Sequence, residues 1–114
     1  MSRWDYVNVL SSPELCGLTL IACEDIAGAW EFDMFAIWTN GRSLFWATDS
    51  GCSCPIPFED HNSVEDLTRA TYKELVSAIN SWGSNSWSYG RSVVEARMAL
   101  LDAVNEYRRN KGNK

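Results

Sequence analysis

The stretch Trp30–Thr39 constrains this chain more than any other. Trp30, Phe32, Met34, Ala36 and Trp38 fall on one face of an extended strand. Glu31, Asp33, Phe35, Ile37 and Thr39 fall on the other. The second face turns from acidic to apolar along its length, so one end of the strand is expected to be covered on both sides. Asn40-Gly41 follows at once and suits the positive φ angles of a type I′ turn. Ser43–Asp49, carrying Leu44, Phe45, Trp46 and Ala47, then returns as the partner strand. The densest aromatic content of the chain lies here, which makes the hairpin Trp30–Asp49 the expected centre of a sheet.

Around this hairpin the chain divides cleanly. Leu18–Ala22 reads as a short buried strand, and Asp5–Leu10 as either an edge strand or an ordered arm. The second half reads as helix. Ser63-Val64-Glu65-Asp66 is a short helical start. Thr71-Tyr72-Lys73-Glu74 has capping-box spacing, and Tyr72, Leu75, Val76 and Ile79 follow at helical intervals to about Trp82, where Gly83-Ser84-Asn85 stops the run. Ser92-Val93-Val94-Glu95 is a second capping box, opening a helix over 92–110. A stripe of Val94, Met98, Leu101 and Tyr107 is expected to face the core, widened by Val93, Ala96, Leu100, Ala103 and Val104. Strands followed by helices predict an α+β fold: a small antiparallel sheet, with its central hairpin at about 30–49, packed on two C-terminal helices. At 114 residues, one domain spanning 1–114 is expected.

Charge and cysteine usage narrow the setting. All 15 acidic residues lie before Arg108, against 6 of the 10 basic ones. Such a body repels phosphates, so nucleic acid is not the expected partner. The basic end, Arg108, Arg109, Lys111 and Lys114, suits a helix C-terminus. No apolar run approaches the roughly 20 residues of a membrane helix, and the first residues lack a signal-peptide pattern. A cytoplasmic protein with reduced cysteines is expected.

The segment from Asp49 to His61 stands out, with Gly51, Pro55 and Pro57 against regular structure and Ile56 and Phe58 demanding burial. Three readings compete. Cys52, Cys54 and His61, with Asp49, Glu59 or Asp60, could ligate a metal, although Cys-x-Cys is not the common zinc spacing. A reactive thiol would need His61, the only histidine, as its base, and the acidic neighbours raise a thiol pKa. The third reading is structural: Ile56 and Phe58 dock on the sheet, the thiols are reduced, no metal or cofactor is held, and Asp49, Glu59 and Asp60 form a polar rim. An Asp at a strand end is expected to accept hydrogen bonds from nearby amides. As a binding surface this rim comprises Asp49, Ser50, Cys52, Ser53, Cys54, Glu59 and Asp60. Trp82, Trp87 and Tyr89, in or beside a Ser/Asn/Gly loop, are a second aromatic candidate among the 6 tryptophans. The sequence lacks a P-loop, G-x-G-x-x-G, G-x-S-x-G and H-E-x-x-H, so no residue pattern names a reaction.

The strand Trp30-Glu31-Phe32-Asp33 through Trp38, and the run Leu44-Phe45-Trp46-Ala47-Thr48-Asp49-Ser50-Gly51-Cys52-Ser53-Cys54-Pro55-Ile56-Pro57-Phe58-Glu59-Asp60, together resemble a family of small uncharacterised proteins from phages of actinobacteria. The resemblance implies a phage protein at work in a bacterial cytoplasm and carries no established activity. His61 is not part of the shared motif. The expected function is a non-enzymatic accessory protein binding a host or phage protein. The alternatives are a metal-stabilised domain or small enzyme using the Cys52/Cys54 loop, and an acidic mimic of DNA.

Overall fold

The computed structural model describes residues 9–10, 12–26, 31–52, 58, 61, 63–82 and 93–112. Within them the expected α+β architecture is present. Strands β1 (Thr19–Asp25), β2 (Glu31–Thr39), β3 (Leu44–Cys52) and β4 (Thr68–Ala70) form one antiparallel sheet in sequential order. Helices α1 (Tyr72–Ser81) and α2 (Val93–Gly112) follow, and short 3-10 turns occupy Pro13–Cys16 and Val64–Asp66. None of the described helices is long and apolar enough to cross a membrane.

Both faces of the sheet are covered. On one, Phe35 and Ile37 pack with Leu75, Ile79 and Trp82 from the α1 region and with Ala96, Leu100 and Val104 of α2. On the other, Ala36, Trp38, Phe45 and Ala47 pack against Val9, Leu18 and Phe58 from irregular segments. The alternation of β2 therefore feeds two cores, and Phe35, Ala36, Ile37 and Trp38 are all fully buried. Phe35 stacks on Trp46 of β3, with ring centroids 5.2 Å apart and planes 4° apart. In β1 a bulge between Leu20 and Ala22 shifts the register against β2.

Three expectations need correction. The hairpin closes through 40–43 rather than a two-residue type I′ turn, because Thr39 pairs with Leu44 and only Gly41 has a positive φ, 95°. The Asn40 carboxamide oxygen takes the role of a turn carbonyl, accepting from Arg42 N (2.9 Å) and Ser43 N (2.8 Å). In α2 the core-facing stripe is Ala96, Leu100 and Val104, while Val94 and Met98 are 60% and 58% exposed. Apolar residues occupy two adjoining faces of this helix, and the face with the small Ala96 approaches the sheet. Finally, β3 runs past Asp49 to Cys52, which pairs with Glu31.

The α1 capping box forms as read, Thr71 Oγ1 accepting from Glu74 N (3.2 Å) and Glu74 Oε1 from Thr71 N (2.9 Å). The α2 cap assigned to Ser92 lies outside the described residues, as does most of the Asp5–Leu10 arm. Strand β4 carries no strand pattern in sequence. It forms where the chain, returning towards α1, meets the free edge of β3. The far end of α2 is fastened to the hairpin: Tyr107 Oη and Thr39 Oγ1 are 3.0 Å apart, and Lys111 Nζ donates to Gly41 O at 3.0 Å.

Candidate functional site

The Asp49 segment is held by a closed circuit of contacts. Asp49 lies in β3 opposite Met34. Its Oδ1 accepts from Ser50 N (3.0 Å) and its Oδ2 from Phe58 N (2.7 Å). Phe58 O accepts from His61 N (3.0 Å), His61 O from Val9 N (2.9 Å), and Val9 O from the indole Nε1–H of Trp38 (2.8 Å). The Trp38 ring then meets Phe58 edge-on, centroids 5.7 Å apart at 90°. Phe58 is buried as expected, and Asp49 accepts from nearby amides as expected, although it does so from within β3 rather than from the strand's end.

Phe58 sits at φ 61°, in the left-handed region that a side chain with a Cβ enters only under constraint. The constraint is visible on both sides: a carboxylate holds its amide, and Trp38 and His61 enclose its ring. The His61 ring lies 5.2 Å from that of Phe58 at 77°, and its Nδ1 is buried with no hydrogen-bond partner among the described residues. The imidazole thus serves as a packing surface under Phe58.

Of the other sequence-derived candidates, Ser50 is exposed on β3 beside Asp49. Cys52 ends that strand, and its side chain lies outside the described residues, as do Ser53, Cys54, Ile56, Glu59, Asp60, Trp87 and Tyr89. Trp82 is on the opposite, helix-covered face and is buried. Its Nε1 donates to Asp33 Oδ1 (3.1 Å), and its carbonyl accepts from Arg97 Nε (2.9 Å) and Nη2. Asp49 and Trp82 therefore do not share a surface.

Among the described residues no cluster of three or more His, Cys, Asp or Glu side chains could hold a metal ion. Cys16 and Cys23 are free thiols. Burial, with Asp25 adding to it, pushes the Cys23 thiol up to about 11, and burial with Glu14 also raises Cys16. Both are poor nucleophiles at neutral pH. The sequence reading missed Val9 and Trp38 as parts of the circuit. The Trp38 partner is a backbone carbonyl from the distant N-terminal arm, for which no local pattern exists.

The match to a known family spans nearly all these elements, covering residues 7–110. The chain belongs to the DUF7574 family, a domain of unknown function. That span takes in the N-terminal arm, the sheet and most of α2, so the DUF7574 unit includes every residue of the Asp49–Trp38 circuit. No curated protein and no solved structure matches the chain.

Proposed function

We propose that this DUF7574 protein is a non-enzymatic accessory protein of an actinobacterial phage. In this reading it binds a host or phage protein in the bacterial cytoplasm through the rim around Asp49, Ser50, Cys52, Ser53, Cys54, Glu59 and Asp60. The observation that carries it is the use made of Asp49: both carboxylate oxygens are engaged by backbone N–H groups. Groups that could have done chemistry are here spent on holding the backbone at Ser50 and Phe58. In this reading a rim anchored through Phe58 would meet a partner at little further cost in chain entropy. Mimicry of DNA is the weaker reading, because the Asp25, Asp33 and Asp49 carboxylates each accept an N–H of the protein itself.

Affinity capture from phage-infected host cells tests the proposal, comparing the wild type with a Glu59→Lys/Asp60→Lys variant. A stoichiometric protein retained by the wild type and lost from the variant is expected. Recovery of only a small molecule or metal, or the same protein on both baits, contradicts it.

A further inference from the structure

The hairpin tip, at the end of β3 away from Asp49, gathers positive charge on an otherwise acidic protein. Two adjoining concavities, of about 460 Å³ and 300 Å³, share Arg42, Ser43 and Leu44 at the hairpin tip. Arg69 lines the first, together with Glu74, whose carboxylate accepts from Thr71 N in the α1 cap, and Arg108 and Lys111 line the second. All of these cations are exposed, and none forms an ion pair with a carboxylate among the described residues. Their positions come from separate elements: the 40–43 turn, β4 and the last turns of α2.

Arg108 and Lys111 are held in place, as is the backbone at Arg42. The Asn40 side chain fixes the backbone at Arg42. Arg108 lies over the Tyr72 ring, 3.8 Å from its centroid, and the Tyr72 hydroxyl donates to Asn105 Oδ1 at 2.7 Å. Lys111 is tied to Gly41 O and retains further ammonium protons for a ligand.

We infer that this groove is a docking site for an acidic segment of a partner protein, one in which carboxylates alternate with apolar side chains. The cations supply charge complementarity, and the half-buried Leu44 and Tyr72 supply apolar contact between them. A polynucleotide fits less well. Arg108 already occupies a face of the Tyr72 ring on which a base would stack. A long polyphosphate would also run onto a surface belonging to a chain of net charge −5, whereas a short acidic segment ends within the groove.

The test is fluorescence anisotropy with a fluorescein-labelled peptide of repeating Glu-Glu-Leu-Asp, and in parallel a labelled oligothymidine. The proteins are the wild type, Arg42→Glu/Arg69→Glu and Arg109→Glu, each checked for unchanged circular dichroism. Arg109 is exposed and lines neither concavity, so it controls for net charge. The peptide should bind the wild type in a salt-sensitive manner, at least about tenfold more weakly to the double variant, and within about twofold of wild type to Arg109→Glu. Should the double variant misfold, Arg108→Gln and Lys111→Gln give the same comparison with less perturbation. Absence of peptide binding, equal binding by the groove variants, or preference for the oligothymidine overturns the inference. Any of these leaves the capture result at the Asp49 rim untouched, since the two surfaces lie at opposite ends of β3.

Discussion

Trp38 donates its indole N–H to the carbonyl of Val9, 29 residues earlier in the chain, at 2.8 Å in a buried setting. This bond fastens Val9 over the sheet face that the helices leave uncovered. It also closes the circuit that holds Phe58 against the same ring.

Truncating Trp38→Ala is expected to cost about 3–5 kcal/mol, the range for removing a buried large aromatic. Trp38→Phe separates packing from hydrogen bonding. It keeps most of the bulk but leaves Val9 O without its partner, with an expected cost of about 1–3 kcal/mol. Urea denaturation checks both, and an unchanged midpoint for either contradicts the burial of this pair.

Asp49→Asn should destabilise by about 1–2 kcal/mol, since the charge-assisted bond to Phe58 N is weakened while the side-chain shape is retained. Amide hydrogen exchange at Phe58 and His61 should quicken more than exchange in α1. Uniform change, or none, would show that Asp49 does not hold this segment.

The two faces of α2 can be told apart by truncation. Leu100→Ala is expected to cost about 2–5 kcal/mol, while Met98→Ala stays within about 0.5 kcal/mol. The reverse order would restore the Val94/Met98 stripe expected from the sequence.

These contrasts mark what the sequence makes legible. The alternation of β2 is local, and it predicted both the strand and its cover on two sides. The Thr71/Glu74 box is equally local. The rotation of α2 was not legible, because apolar residues lie on two adjoining faces and only the sheet selects between them. Strand β4, Thr68-Arg69-Ala70, is too short to carry a period. In the candidate site the amide-accepting role of Asp49 was legible beside Ser50-Gly51, although the strand was expected to end there and instead runs on to Cys52, and Val9 entered by a contact across the fold. The gathering of Arg42, Arg69, Arg108 and Lys111 likewise arises only when the hairpin tip, β4 and α2 meet.

Cys23 gives a pH signature. Its thiol is raised from an ordinary 9.0 to about 11, burial acting first and Asp25 second. Between those values the unfolded chain has released a proton that the folded chain still holds, so the unfolded state binds fewer protons and stability falls as pH rises. The contribution is fully present below pH 9.0 and is lost on passing through about 11. Cys23→Ala should decline less steeply than the wild type over this window in thermal melts, and parallel curves would contradict the shift.

Asp49 anchors Phe58 through its amide, and the proposed protein-binding rim needs no metal beside it. Elemental analysis of protein purified without chelator is the most direct test. Zinc far below one per chain and a melting temperature unchanged by a strong chelator are expected. About one zinc per chain, with folding lost when it is stripped, would contradict this and transfer the role of organising the Asp49 segment to a metal held by Cys52, Cys54 and His61.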